Sequence, residues 1–181
     1  ILLVVLSPIF LLLAVWIKLD SEGPVFFRQE RITQYGKSFR IYKFRTMVQN
    51  AEQLGAQVTS KGDMRVTSVG QALRKCRLDE LPQLINILEG TMSFVGTRPE
   101  VPRYVDAYTD EMKATLLLPA GVTSIASIRY KDEDALLDAV DDCYIHNVLP
   151  AKMEWNLRSL KEFSFIGELK VMVETVLAVI R

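Results

Sequence analysis

Histidine and cysteine are scarce in this chain of 181 residues. It has one histidine, His146, and two cysteines, Cys76 and Cys143, whose spacing fits neither a disulfide framework nor a zinc site. A histidine-based metal cluster is therefore excluded, and we expect His146 to be structural. A reducing cytosolic environment fits the low cysteine content.

An excess of charge of either sign is also missing, because 22 Lys and Arg balance 22 Asp and Glu. Proteins that bind nucleic acids usually carry a large basic excess, so we expect no nucleic-acid partner. The length and the apolar content of 49% are enough for one domain with a substantial core, and no repeat suggests a second.

Charged residues are absent from residues 1–17, an apolar run that Ser7-Pro8 interrupts. A helix of that length reaches about 25 Å, less than the ~30 Å hydrocarbon core of a bilayer. Proline removes one helical hydrogen bond, and a neighbouring serine hydroxyl can bond the carbonyl that is freed. We predict that residues 1–17 form a re-entrant membrane segment kinked at Ser7 and Pro8. A cleaved signal peptide is the competing interpretation, but no small-residue cleavage site follows Ile17.

Basic residues outnumber acidic ones by seven to three between Lys18 and Arg45. Positive flanks stay on the cytoplasmic side of a membrane and are attracted to anionic headgroups. We expect residues 18–181 to form a cytosolic domain lying on the membrane; a chance excess of charge on a hairpin is the alternative.

Hydrophobic periodicity predicts an α+β fold that is mostly helical. Strands Val25–Ile32 and Phe39–Phe44 form a small β-hairpin that turns at Gly36. Helices are expected over residues 69–76, 104–117 and 132–148, with a loop or frayed helix over 50–62 and a break at 119–123.

Apolar residues near the carboxyl end recur at helical spacing. This stripe fits core packing and an amphipathic interfacial helix equally well, and Trp155 and Phe163 suit the headgroup zone. Its members are Phe165, Ile166, Leu169, Met172, Val173, Val176, Leu177 and Ile180.

Two adjacent carboxylates, Asp79 and Glu80, precede a short helical segment that we expect to be buried. Its apolar positions are Leu81, Leu84, Ile85 and Leu88, and Gly90 is the expected C-terminal cap. Pro82 has no N–H to donate, and this destabilises a helix little only within its first turn. Asp79 and Glu80 therefore lie near the helix N-terminus, where negative charge is favoured. A nucleophilic carboxylate would be kept ionised there. From this segment alone, a capping Asp79 and a solvated Glu80 are the simpler interpretation.

Basic side chains that suit phosphate stand on either side of this acidic pair. Arg98 follows a glycine turn, Pro99 stiffens its backbone, and its planar fork can donate two hydrogen bonds to phosphate oxygens. Lys43 and Arg45 lie in a strand that interleaves cations with apolar residues.

These segments resemble the bacterial sugar transferase family, the monotopic polyprenyl-phosphate phosphoglycosyl transferases, and the resemblance covers nearly the whole chain. The small, minimal-domain subgroup fits best. Six motifs in order carry it: Ser7-Pro8, residues 23–31 (GPVFFRQER), Lys43-Phe44-Arg45-Thr46-Met47, Asp63-Met64-Arg65-Val66-Thr67, Leu78-Asp79-Glu80-Leu81-Pro82-Gln83-Leu84 and Gly96-Thr97-Arg98-Pro99.

The resemblance implies an Mg²⁺-dependent transferase at the cytoplasmic face of the bacterial inner membrane. A UDP-sugar would give its sugar 1-phosphate to polyprenyl (undecaprenyl) phosphate and release UMP, beginning glycoconjugate assembly among membrane phospholipids, with downstream glycosyltransferases as candidate partners. Asp79 would be the nucleophile, Glu80 the Mg²⁺ ligand, and Arg98 with Pro99 the phosphate clamp. Lys43 and Arg45 are weaker candidates for phosphate or headgroup contacts.

Three alternatives stay open. The chain would also suit a silent membrane scaffold or a nucleotide-sugar hydrolase, and Asp132-Glu133-Asp134 matches the metal motif of many nucleotide-sugar glycosyltransferases, although helix capping explains it adequately. The stretch Thr123-Ser124-Ile125-Ala126-Ser127, Ala120 between Pro119 and Gly121, and Gly167-Glu168-Leu169 depart from the family pattern. They leave the sugar and the glycan pathway open.

Overall fold

The apolar amino terminus forms one helix, α1 (Leu2–Asp20), in the computed structural model, which describes residues 1–54, 62–130 and 144–180. Helical backbone continues through Ser7 and Pro8, so the expected interruption does not end the helix. Ser7 Oγ donates to Val4 O at 2.8 Å, and Val4 O is the carbonyl that Pro8 leaves without its usual donor. By length and composition α1 is able to cross a membrane. The re-entrant path stays a prediction.

The predicted hairpin is confirmed. Strand β1 (Phe26–Ile32) pairs antiparallel with β2 (Ser38–Phe44), and Gly36 in the turn has a φ of +70°. Glycine meets that left-handed conformation without steric cost.

A second, parallel sheet joins β3 (Met92–Val95) to β4 (Ala120–Thr123). The sequence predicted a break at 119–123, the range that contains β4. A Cβ on Gly121 would lie 2.1 Å from the backbone nitrogen of Gly96, so the two chains approach closely where both residues are glycine.

Helices α2 (Ser68–Lys75) and α3 (Gln83–Leu88) flank a 3-10 turn at Leu78–Glu80. Gly90 follows α3 at φ +75°, as predicted for its C-terminal cap.

The most deeply buried side chains of α3 are polar, and the burial predicted from its apolar spacing is wrong at Leu88, whereas Leu81, Leu84 and Ile85 are half-buried. Gln83 and Asn86 are buried, whereas Leu88 is 78% exposed. The Asn86 side chain accepts from Tyr42 N and donates to Arg40 O, so it satisfies backbone groups of β2. This hydrogen bonding explains why an amide lies inside.

Apart from β4, the described elements that follow β3 are helical. They are α4 (Pro102–Val105), a 3-10 segment (Met112–Leu117), α5 (Ile125–Arg129), a π-helical turn (Tyr144–Val148), α6 (Leu149–Lys161) and α7 (Phe165–Ile180). The single helix predicted over 104–117 is therefore wrong, because α4 and the 3-10 segment divide that range. Most of the helix predicted over 132–148, with Asp132-Glu133-Asp134 and Cys143, lies outside the described residues, as do 55–61 of the predicted loop.

The carboxyl half of α1 packs on the hairpin and α2. Leu13 and Ile17 form a buried cluster with Phe44, Val69 and Leu73. Large side chains of the amino-terminal half, including those of Val4 and Val5, are exposed.

Helix α7 packs by one face only. Val171 is buried, and Thr175 Oγ1 lies 2.7 Å from Thr123 Oγ1 of β4. The predicted stripe lies on the other side and is exposed at Phe165, Ile166, Leu169, Val173, Val176 and Leu177. Core packing is therefore wrong for these residues, whereas their exposure is what an interfacial helix requires.

Candidate active site

Asp79 and Glu80 lie in the 3-10 turn that precedes α3, on the wall of a cavity of about 580 Å³. Arg77 enters this turn with a left-handed φ of +50°, and the cap residue Pro82 offers no side-chain hydrogen bond. Asp79 therefore does not cap α3, contrary to the simpler interpretation of the segment.

Glu80 is held by several basic side chains. Both of its carboxylate oxygens accept from Arg98, with Nη1 at 3.2 Å from Oε2, and Lys43 Nζ lies 3.2 Å from Oε1. Arg77 Nη1 is 3.9 Å from Oε2. Burial by itself would raise the pKa of Glu80, but Arg98 and Lys43 outweigh it and hold that pKa well below its usual range. Glu80 is therefore ionised at neutral pH.

Asp79 is in a different environment, although it is the next residue. It is only 8% exposed, and burial together with the negative charge of Glu80 raises its pKa against the opposing effect of Lys43, Arg74 and Arg98. Burial thus opposes the stabilisation that a helix N-terminus would give to the ionised form, and the net shift of the Asp79 pKa is upward; that Asp79 reacts as a carboxylate stays a prediction. Removing a carboxylate from water penalises its charged form, and this outweighs the nearby cations.

The turn that carries Arg98 follows β3 directly and is hydrogen-bonded to the neighbouring strand β4. Gly96 N donates to Thr123 O at 3.0 Å, and Gly121 N donates to Thr97 O at 2.9 Å. Pro99 takes part through its carbonyl, which accepts from Arg31 Nη1 at 3.1 Å. The sheet therefore brings Arg98 to Glu80.

A second buried acid, Glu100, lines the same cavity. Tyr144 Oη donates to Glu100 Oε1 at 2.5 Å, Lys152 Nζ is 3.6 Å from the same oxygen, and Arg31 Nη1 is 3.8 Å from Oε2. Burial favours the neutral acid, but Lys152 and Arg31 lower the pKa of Glu100 overall.

Sequence reasoning assigned no role to this cluster. Glu100 directly follows Arg98-Pro99, which was an available signal. The sequence gives no such signal for Tyr144 or Lys152. A lysine within a helical segment is ordinarily exposed, but Lys152 is only 3% exposed.

Of the two basic candidates in the hairpin, only Lys43 meets the acidic pair. Strand alternation puts Lys43 on the same side as the buried Phe39 and Ile41, towards α3. Arg45 borders the cavity, but its Nη1 donates to Glu22 O and its Nη2 to Ser21 O, both at the end of α1. The expected phosphate contact is therefore replaced by a structural one.

Magnesium suits the donors at the acidic pair. Within the described ranges no group of three or more His, Cys, Asp or Glu side chains is placed to hold a metal. Mg²⁺ is usually bound by one or two carboxylates completed by substrate phosphate and water, so Glu80 beside Asp79 fits such an ion. The ion would share Glu80 with Arg98 and Lys43.

The cavity is strongly cationic. Among the described residues that line it, basic side chains outnumber acidic ones by nine to three. Such a lining attracts anionic ligands.

Comparison with known proteins gives a consistent picture. The whole chain, residues 1–181, matches the family model described as bacterial sugar transferase. The chain is 55% identical over 106 residues to a UDP-N-acetylgalactosamine-undecaprenyl-phosphate N-acetylgalactosaminephosphotransferase of Aeromonas hydrophila, with 59% of this chain and 25% of that protein covered.

Two further relatives match over more of the chain. A UDP-glucose:undecaprenyl-phosphate glucose-1-phosphate transferase of Escherichia coli (strain K12) is 35% identical, with 96% of this chain and 36% of that protein covered. An exopolysaccharide production protein ExoY of Sinorhizobium fredii is 34% identical, with 80% and 72% covered. The chain thus spans about a third of the E. coli relative and most of the S. fredii one.

Proposed function

Because the chain belongs to the bacterial sugar transferase family, we propose that it transfers a sugar 1-phosphate from a UDP-sugar to polyprenyl (undecaprenyl) phosphate and releases UMP. The observation that carries this proposal is the pair Asp79 and Glu80 on the wall of a cationic cavity, with Arg98 and Lys43 bound to Glu80. Both substrates are phosphate esters, which such a cavity attracts.

In the first half-reaction, a carboxylate oxygen of Asp79 attacks the phosphorus that bears the sugar. The bond from that phosphorus to the bridging oxygen breaks, and UMP leaves with the electron pair. A covalent aspartyl phospho-sugar remains, which divides one difficult transfer into two easier steps.

In the second half-reaction, a phosphate oxygen of the polyprenyl phosphate attacks the same phosphorus. The bond to Asp79 breaks, the carboxylate is restored, and a polyprenyl diphosphate sugar is released. Because the cavity is free of UMP at this stage, one site serves both substrates in turn. Steady-state kinetics are therefore expected to be ping-pong.

The basic residues neutralise the charge that moves during transfer. Arg98 and Lys43 already converge on Glu80 in the site, so their donors need little reorganisation to reach phosphate oxygens near it. Mg²⁺ held by Glu80 would add positive charge for the donor diphosphate, the usual use of this ion with nucleotides.

The protein acts at the cytoplasmic face of the bacterial inner membrane in this proposal. Helix α1 and the exposed stripe of α7 are the surfaces that phospholipid would cover. A lipid-linked product would then pass to downstream glycosyltransferases.

The deciding experiment is the intact mass of the purified protein after incubation with UDP-sugars and Mg²⁺ but without lipid. We expect the wild type to gain the mass of a phospho-sugar, and Asp79→Asn to gain nothing. Asp106→Asn, an exposed acid changed in the same way, should behave as the wild type. Turnover with polyprenyl phosphate but no mass gain would mean direct transfer in a ternary complex.

The same assay separates the competing functions. A nucleotide-sugar hydrolase would release sugar phosphate without polyprenyl phosphate, and a silent scaffold would show neither a mass gain nor turnover. The family and the intact acidic pair favour the transferase.

A further inference from the structure

Arg45 meets the end of the apolar helix with both terminal nitrogens of its guanidinium. Nη1 donates to Glu22 O at 2.7 Å, while Nη2 donates to Ser21 O at 2.6 Å and lies 3.3 Å from Ile17 O. The Ser21 hydroxyl accepts a further bond at 3.0 Å. Arg45 itself is only 6% exposed.

This arrangement satisfies a general need of helix ends. The last carbonyls of a helix have no partner within it and carry partial negative charge. The guanidinium of Arg45 reaches one carbonyl of the last turn, Ile17 O, which also accepts from Ser21 N, and the carbonyls of Ser21 and Glu22 that follow directly after α1.

The chain leaving α1 is shaped around Arg45. Gly23 has a φ of +120°, and a Cβ there would lie 2.2 Å from Arg45 Nη1. A side chain at Gly23 and the guanidinium of Arg45 therefore exclude each other.

Arg45 also belongs to the strand side of the active site. Its backbone nitrogen donates to Val25 O at 2.9 Å, and the preceding Phe44 packs against Leu13 and Ile17 of α1. One residue further back, Lys43 contacts Glu80. A stretch of three residues thus connects the end of α1 to the acidic pair.

We propose that Arg45 is a positioning residue that fixes the end of α1 to this strand, so that the depth of α1 in the membrane sets the position of the cavity relative to the lipid acceptor. The inference rests on the proposed function, because it takes α1 as lying in the membrane and a membrane lipid as the second substrate. It predicts that losing the contact impairs lipid transfer more than reaction with the soluble donor.

The test measures the depth of α1 directly. Trp16 and Trp155 are the two tryptophans of the chain, so Trp155→Phe leaves Trp16 of α1 as the only one. In this background, Trp16 fluorescence is quenched by lipids brominated at shallow or deep acyl positions in phosphatidylcholine–phosphatidylglycerol vesicles. Arg45→Met should change the ratio of shallow to deep quenching.

A second contact variant, Gly23→Ala, and two matched controls distinguish loss of the contact from loss of charge and from backbone strain. Gly23→Ala should shift the quenching ratio as Arg45→Met does, because it displaces the guanidinium without removing it. Gly36→Ala also puts alanine at a positive φ but meets nothing within 4 Å, and Arg40→Met removes an exposed cation of the same strand. Neither control should move Trp16.

Activity gives the second readout. For Arg45→Met and Gly23→Ala we expect kcat/KM for polyprenyl phosphate to fall by about 10- to 100-fold, since a displacement of about 1 Å costs that much. In Gly23→Ala, which keeps the charge of Arg45, the rate of adduct formation from the donor alone should stay near that of the wild type, and Arg45→Lys should recover part of the lipid step that Arg45→Met loses.

Three results would overturn the inference. One is unchanged Trp16 depth in both contact variants. Another is an equal loss of both half-reactions with the depth of Trp16 unchanged, which would show that Arg45 binds substrate phosphate. The third is a shifted depth with normal lipid transfer. If the wild type transfers nothing to lipid, the proposed function fails, but the quenching still decides whether Arg45 fixes α1.

Discussion

At the scale of single residues, the two neighbouring carboxylates show how environment divides their roles. Glu80 is surrounded by cations that lower its pKa, whereas burial and the charge of Glu80 raise the pKa of Asp79. Nothing in the dipeptide distinguishes the two acids. Arg98 and Lys43, which are distant in sequence, both hydrogen-bond to Glu80 and contribute to this difference.

Glu100 gives a prediction at this scale. Changing Glu100→Gln removes a buried charge between Lys152 and Arg31, and breaking such a pair costs about 3–5 kcal/mol. We expect a clearly lower Tm at pH 7, and a weaker adduct yield because Arg31 also fixes Pro99 beside Arg98.

The pH dependence of this effect has a definite sign. The pKa of Glu100 is lower in the folded protein than the ordinary value of 4.5, so its stabilisation is complete above 4.5 and is lost as the pH falls through the folded pKa. The Tm difference between wild type and Glu100→Gln should therefore narrow in acid. Asp110→Asn, whose partner Lys113 is also exposed, should change Tm little at any pH. Equal losses for both variants would contradict a special role of Glu100.

At the scale of elements, the parallel pair of β3 and β4 positions Arg98 beside Glu80. The Arg98 turn follows β3 and hydrogen-bonds to β4, and the close approach of Gly96 and Gly121 leaves no room for a side chain. Residues 119–123 looked like a break because Pro119 and Gly121 are weak strand formers. Their pairing with β3 is a long-range contact that local preference does not encode.

Gly121→Ala tests this arrangement. The added Cβ would lie 2.1 Å from Gly96 N, so β3 and β4 must separate and move Arg98. Overpacking of this kind costs about 1–3 kcal/mol, and we expect a lower Tm and little adduct in the mass assay. Gly90→Ala is the control, because Gly90 has open space around it and an added Cβ meets no atom there; its φ of +75° strains an alanine, so Tm can fall, but the adduct yield should stay near that of the wild type. A normal adduct yield in Gly121→Ala would show that Arg98 does not depend on the strand spacing.

At the scale of the whole molecule, apolar surface is concentrated on two helices. The amino-terminal half of α1 and one face of α7 are exposed, while the other face of α7 packs on β4 and α5. Exposed apolar surface of this extent marks an interaction site, and a bilayer is the partner consistent with the proposed function.

Tryptophan scanning of α7 checks that orientation. Helical geometry of about 100° per residue places Val176 on the apolar face and Glu174 on the polar one. With Trp16 and Trp155 changed to Phe, Val176→Trp should be quenched strongly by brominated lipid and Glu174→Trp weakly. Similar quenching at both positions would show that α7 does not lie flat in the interface.

Local patterns in the sequence determined much of this protein. The charge-free run predicted α1, strand alternation and a glycine predicted the hairpin, and the acidic pair with Arg98 was found before any contact was known. Each of these patterns is carried by residues that are close together in sequence, where hydrophobic spacing, turn chemistry and hydrogen bonding act.

Only the tertiary structure decided which groups these patterns meet. It assigned Arg45 to the end of α1, joined Glu100 to Tyr144 and Lys152, buried the polar face of α3 and left the apolar face of α7 exposed. Each of these depends on partners far along the chain. Burial and pairing follow from how the elements pack together. The local sequence of a segment does not show which distant segment it packs against.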